Sequence, residues 1–122
     1  MSHNTMRRNY LAAAAIAAFR IVKHGAADGE VVQGTAATDA LMGVNDSVAP
    51  EAGERVDIVK SGLADVEYGG AVTRGQPLTS DSVGRAVAAS VAGSRIIGFA
   101  EVSGVLGDIG LVDIAPGTLA TA

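Results

Sequence analysis

The chain of 122 residues has the length of one ordinary domain, and its net charge of −4 at pH 7 excludes the overall basic footprint of a duplex-binding protein. It contains no cysteine, which excludes disulfides and thiolate metal sites. Its residues are 48% hydrophobic but only 3% aromatic. The core must therefore consist mainly of small aliphatic side chains that bury little area each, and we expect subunit contacts to add to stability.

The charge is unevenly distributed along the chain. Residues 1–24 hold four basic residues and no acid, whereas residues 25–122 hold five basic residues and all thirteen acids. A positive N-terminal segment on an acidic body predicts that the segment has a partner of its own.

The first 18 residues are interpreted as an N-terminal arm. Residues 1–10 are polar and without periodicity, and the alanine-rich stretch Leu11–Ala18 is compatible with a short helix or with an extended segment that orders on a partner. Residues 6–18 also have the basic and short apolar regions of a signal peptide, although alanine is only weakly hydrophobic. No stretch reaches the ~20 strongly apolar residues of a membrane span, so we expect no membrane partner.

From residue 19 onward the pattern is that of short strands separated by Gly, Asp, Ser and Pro turns. The predicted strands lie at residues 19–23, 30–33, 41–44, 54–60, 63–68, 77–79, 85–88, 95–102 and 109–115. Turn signals recur about every ten residues, which favours an all-β sandwich or barrel. Gly98 is a predicted bulge or close-packing site. We therefore expect one all-β domain over residues 19–117, preceded by the arm (1–18) and followed by a C-terminal tail (118–122).

No set of residues in the chain indicates an enzyme. His3 and His24 lie far apart in sequence, and His24 precedes a glycine turn, where a solvated role explains it better than a ligand role. Asp57, Asp65 and Glu67 are predicted on neighbouring strands; they could approach one another for acid–base work, but a solvated sheet face explains them better. Phosphate-binding glycine loops and nucleophile motifs are absent from the sequence. We predict no catalysis, no cofactor, no metal site and no nucleic-acid partner.

Several segments follow one another in an order that resembles a known family. They are Gly53–Val59, Gly62–Glu67, Gly69–Leu78, Ser80–Asp81, Gly84–Val87, Arg95–Ala100 and a last strand that reaches Gly117. The series is similar to the head decoration, or cement, proteins of tailed bacteriophages over roughly residues 19–117. None of the single motifs is specific, and the similarity rests on their order.

The resemblance implies a small β-barrel or β-tulip-like body, often a homotrimer, on the outer capsid surface of the virion, after synthesis in the host cytoplasm. There it would bind the major capsid protein and stabilise contacts between its subunits. Two other classes remain open. One is a head fibre base or minor capsid adaptor, and the other is an exported small β-domain if residues 6–18 are a signal peptide.

Four residues of the arm are the predicted capsid-binding site. Arg7 and Arg8 would pair with carboxylates of the capsid, and Tyr10 and Leu11 would serve as apolar anchors. We expect the arm to be loosely held in the free protein and to order on binding. The alternatives are an untethered tail or an arm that crosses to a sister subunit within the trimer.

Overall fold

The computed structural model describes residues 5–120, which form nine strands joined by turns and loops. The strands are β1 (Met6–Ala12), β2 (Ile21–His24), β3 (Glu30–Gln33), β4 (Leu41–Val44), β5 (Arg55–Glu67), β6 (Pro77–Ser80), β7 (Ala86–Ala88), β8 (Arg95–Ala100) and β9 (Ile109–Thr118). Residues 5–120 contain no helix, and so none long and apolar enough to cross a membrane. The predicted all-β class is confirmed.

A closed barrel of five strands forms the first half of the molecule. Its strands follow the order β1-β3-β2-β4-β5, and β1 closes the barrel by pairing with β5 as well as with β3. The contact between β1 and β3 is parallel, and the other contacts within this barrel are antiparallel. The closure is partial, because β1 pairs with β3 only at Leu11 and Ala12 and the first part of β1 keeps a free edge on that side.

The second half is an antiparallel sheet with the order β5-β9-β8-β6-β7. The strand β5 is common to both halves: residues up to Ser61 pair in the barrel, and residues from Gly62 pair with β9. A bridge between Tyr68 and Ala86 brings β7 back to the end of β5. The single long strand therefore fixes the two halves relative to each other.

One turn prediction was wrong, and one glycine prediction is confirmed. The Ser61-Gly62 pair was expected to separate two strands, but residues 55–67 form one strand of 13 residues. Gly62 has a φ of 95°, which allows β5 to bend from one sheet into the next without reversing direction. At Gly98 the pairing of β8 with β9 shifts in register, and an added Cβ would overlap the carbonyl oxygen of Asp113.

The core consists mainly of aliphatic side chains in two clusters. The smaller cluster fills the five-stranded barrel and contains Tyr10, Ala12, Ile16, Val22, Val31, Met42, Val56 and Ile58. The larger cluster joins residues of the second sheet to Ile21, Leu41, Val44 and Val59 of the barrel. Because the larger cluster draws on both halves, they are packed against each other as one body.

The N-terminal segment is part of this body, which corrects the predicted arm. Residues 6–12 form a barrel strand, and Tyr10, Ala12 and Ile16 are buried in its core. The segment is extended, as one of the two alternatives for it allowed, but it is held by β5. A signal peptide at residues 6–18 does not fit this arrangement, since its removal would open the barrel. The start of the predicted arm, residues 1–4 with His3, lies outside the described residues, and the expected tail boundary at 117 falls inside β9.

A buried asparagine organises the loops that link β1 to β2 and β4 to β5. The side chain of Asn45 accepts a hydrogen bond from the backbone N–H of Arg20 (2.8 Å) and donates to the carbonyl oxygens of Ala17 (2.7 Å) and Val48 (2.6 Å). Two flanking residues, Phe19 and Asp46, have positive φ angles of 61° and 60°. The asparagine thus holds two loops in conformations that non-glycine residues rarely adopt.

Candidate functional site

A cleft opens at the side of the barrel where β1 separates from its neighbour. Along β1, residues 6–11 all pair with β5, but only Leu11 and Ala12 pair with β3. The turn between β2 and β3 therefore stands away from the first part of β1. The space between them is a cleft of about 570 Å³ lined by Arg8, Tyr10, His24 and residues 25–29.

Two cations lie over the ring of Tyr10: Arg8, which lines the cleft, and Lys60 of β5, which is not part of the lining. The guanidinium carbon of Arg8 is 5.0 Å from the centre of the Tyr10 ring, and the Nζ atom of Lys60 is 5.6 Å from it. Both distances are within the range of cation–π attraction. Within residues 5–120, neither Arg8 nor Lys60 forms an ion pair. The exposed acid Asp28 lies in the same lining as Arg8, so the cleft carries charges of both signs.

The four predicted capsid-binding residues of the arm lie on β1, where the alternation of side chains divides them between the two sides of the strand. Tyr10 points inward and is 2% exposed, so it anchors β1 to its own core and is not available as an anchor for a partner. Leu11 is half-buried. Arg7 is exposed, and its guanidinium forms an ion pair of 3.0 Å with Asp46. Since successive side chains alternate in direction, Arg7 and Leu11 share one side of β1, while Arg8 shares the side of Tyr10.

The predicted carboxylates do not form a group. Asp57, Asp65 and Glu67 all lie on β5, and eight residues separate the first two, or ~26 Å along a strand. Glu67 is neutralised between Arg20 (3.5 Å) and Arg85 (3.6 Å). Among residues 5–120 there is no group of three His, Asp or Glu side chains with metal-ligating geometry.

An exposed apolar surface lies on the second half of the molecule, and the sequence reasoning missed it. Five of the nine large hydrophobic side chains that are exposed among the described residues are close together in the chain. They are Phe99, Val102, Val105, Leu106 and Ile109, and we name them the distal apolar surface. A sequence signal exists, because Val105 and Leu106 precede Gly107-Asp108 and so belong to a turn rather than to a strand.

The loop that carries this surface is firmly held. Asp108 N–H donates to the carbonyl oxygen of Val105 (3.0 Å), and the Asp108 carboxylate accepts from Val105 N–H (2.9 Å). Gly107 has the positive φ (90°) that the third residue of a type II turn requires. Leu106 therefore projects from a rigid turn and is 62% exposed.

Tyr68 fastens both ends of the same loop. Its hydroxyl donates to the carbonyl oxygen of Val102 (2.7 Å), and its backbone pairs with Gly107 and Asp108. Burial, together with the charge of Asp108, raises the pKa of Tyr68, so the hydroxyl keeps its proton and donates this hydrogen bond further into the alkaline range.

Acidic side chains surround the distal apolar surface. Asp65 and Glu101 are exposed, Asp113 is half-buried, and none of the three forms an ion pair within residues 5–120. Asp113 lies directly opposite Phe99 across the β8–β9 ladder, and Asp65 lies opposite Leu111 on β9. The exposed Arg74 is also held beside this loop, because its backbone N–H donates to the hydroxyl of Ser103 (2.9 Å), so the surface has charges of both signs nearby, with acids in excess.

Comparison with known proteins identifies the fold. The fold is similar to that of the head fiber gp8.5 N base of bacteriophage phi29. The two structures superpose with a TM-score of 0.70 over 91% of this chain and 94% of the other, at 18% sequence identity. No family model matches the sequence, and no curated protein matches it. The similarity therefore concerns the fold.

Proposed function

We propose that this chain is a structural protein of a bacteriophage head that binds the outer capsid surface and stabilises contacts between major capsid protein subunits, as a homotrimer. The observation that carries the proposal is the fold match over nearly the whole length of both chains to a protein of the phi29 head. The ordered sequence segments that resemble decoration proteins support it independently. Exposed apolar residues held on a rigid loop support a binding role.

A second candidate is the base of a head fibre. The specific observation in its favour is that the matching structure is itself named a head fiber base. The two candidates differ in what binding does to the capsid. A cement protein raises the stability of the shell, whereas a fibre base needs only to be attached to it.

The proposal is tested with purified protein and undecorated phage heads. Co-sedimentation measures binding, and the temperature at which heads release DNA measures stabilisation. Binding together with a higher release temperature supports the cement role, and binding with an unchanged release temperature supports the fibre base. Failure to bind heads at micromolar concentration would contradict both.

Within this proposal, Arg7 and Leu11 form the side of β1 that faces the capsid. The ion pair between Arg7 and Asp46 is exposed and is worth at most about 1 kcal/mol, so a carboxylate of the partner can replace Asp46 at little cost. We expect Arg7→Glu to weaken head binding at least tenfold without a change in oligomeric mass. Arg74→Glu, which reverses an exposed charge in the second half, is the matched control and should bind as the wild type does.

A further inference from the structure

The first part of β1 carries backbone hydrogen-bonding groups that no strand pairs on one side. Leu11 N–H donates toward β3, to the carbonyl oxygen of Gly29 (2.9 Å), whereas Ala12 N–H donates toward the β5 side. Because the backbone groups of successive residues in a strand point to opposite sides, those of Arg7 and Asn9 point away from β5, as those of Leu11 do. Within residues 5–120 no strand pairs with Arg7 or Asn9 on that side. Two N–H and two C=O groups are therefore left for a partner.

The cleft beside β1 lies along this same edge. Its other wall is the turn of residues 25–29, which consists of two glycines, two alanines and Asp28, and these small residues leave the space open. One residue of a packed strand occupies ~160 Å³, from a rise of ~3.3 Å, a strand spacing of ~4.8 Å and a sheet spacing of ~10 Å. The cleft volume of about 570 Å³ therefore holds about three to four residues of one extended chain. That length matches the unpaired part of β1, residues 6–9.

The geometry selects an extended peptide rather than the sheet edge of a second copy. The volume holds a single chain, whereas a folded sheet edge brings further strands with it. Pairing β1 with β1 of a second copy through all four free groups would also set Arg8 opposite Arg8, and like charges directly opposite each other are destabilising. The lining itself carries charges of both signs, on Arg8 and Asp28, so the edge recognises main-chain groups rather than a particular charge.

We propose that the first part of β1 receives an extended segment of a phage head protein as an added strand, which lies between β1 and the 25–29 turn and forms hydrogen bonds with the main chain of Arg7 and Asn9. This inference rests on the proposed function, because it states how the head is bound. Strand addition derives affinity from main-chain bonds. The side chains of Arg7 and Leu11 lie on the outer side of the same strand, so their contact with the capsid and the added strand belong to one interface.

The unpaired edge is tested first in the free protein. Amide hydrogen exchange measured by NMR should be fast at Arg7 and Asn9 and slow at Arg8 and Tyr10, whose N–H groups point to β5. Equal exchange rates at all four amides would overturn the proposal, because the two sides of β1 would then not differ.

The binding test removes one donor from the edge. Asn9→Pro deletes an N–H group that points away from β5, and proline is accepted in a strand at such an edge position. Co-sedimentation with undecorated heads should be weakened at least tenfold, while circular dichroism stays unchanged. Asn9→Ala removes the same side chain and keeps the N–H, so the difference in affinity between the two variants measures the main-chain contact alone.

A second variant fills the cleft from its other wall, so the test does not depend on how proline affects folding. Ala27→Trp should weaken head binding at least tenfold, whereas Ala92→Trp, at an exposed turn residue of the second half, should bind as the wild type does. Wild-type affinity in either folded variant, Asn9→Pro or Ala27→Trp, overturns this inference and leaves the proposed function standing. A wild type that fails to bind heads contradicts both. Loss of oligomeric mass in Asn9→Pro would assign the edge to a second copy and likewise overturn the inference.

Discussion

Replacing the buried Asn45 by alanine should destabilise the protein more than the same change at an exposed asparagine. The side chain is fully buried and satisfies one N–H and two carbonyl groups of the backbone. The Arg20 N–H loses its acceptor in a half-buried setting, where an unsatisfied group costs about 1–3 kcal/mol. Ala17 and Val48 are exposed residues, so water can partly replace the bonds to their carbonyl oxygens at roughly 0.5 kcal/mol each.

The sum is about 3 kcal/mol, which corresponds to a fall in Tm of about 12 °C for a chain of this size. The loss of the asparagine also frees Phe19 and Asp46 to leave their positive φ angles, which loosens both loops. Urea unfolding followed by circular dichroism, at one fixed protein concentration, measures the effect.

Asn9→Ala is the matched control, because it is the same substitution at an exposed residue. The Asn9 amide bonds to the side chains of Asp57 (3.0 Å) and Arg55 (2.7 Å) on the surface of the barrel. Its loss should cost no more than about 1 kcal/mol. If Asn45→Ala is no more destabilising than Asn9→Ala, the buried hydrogen bonds do not hold the two loops as described.

Two further substitutions test the packing and the charges of the fold. Gly98→Ala places a Cβ on a carbonyl oxygen of β9 and should lower the free energy of unfolding in urea by about 2 kcal/mol or more. At the control position Gly70 no atom lies within 4 Å of the added Cβ, so Gly70→Ala should change stability by less than about 1 kcal/mol. Equal effects of the two substitutions would contradict the close approach at Gly98. Burial alone would raise the pKa of Asp39, but hydrogen bonds from Thr35 and Lys23 outweigh it and lower the pKa below its ordinary 3.8. A carboxyl whose pKa is lower in the folded than in the unfolded state stabilises the fold at pH values above its unfolded-state pKa. The stability advantage of the wild type over Asp39→Asn should therefore shrink as the pH falls from about 6 to about 3. An advantage independent of pH would contradict the lowered pKa of Asp39.

The strands that are bounded by strong turn residues could be predicted from the sequence. The first half of β1 could not, because it lacks an alternation of apolar and polar residues. The bounds of β3 and β4 match the prediction because Asp28-Gly29 and Asn45-Asp46 break the apolar runs beside them. By contrast, the first half of β1 is polar, since Arg7, Arg8 and Asn9 lie where the barrel meets solvent. Its strand conformation comes from backbone pairing with β5, which is distant in sequence.

The conformation of the alanine-rich segment was also not predictable from local sequence. Alanine favours a helix locally, yet residues 11–18 contain no helix. Ala12 and Ile16 are buried in the barrel, and Ala13 N–H donates to the carbonyl oxygen of Val31. Tertiary packing therefore outweighs a local preference of a few tenths of a kcal/mol per residue.

Apart from the turn at Val105 and Leu106, the distal apolar surface could not be located from the pattern of residues alone. Alternation shows that two sets of side chains face opposite ways, but it does not show which side is covered. On β9 the buried residues Val112 and Ile114 alternate with Leu111 and Ile109, so both faces are apolar near its start. Only the packing of Val112 and Ile114 into the core shows that the opposite side chain of Ile109 faces outward.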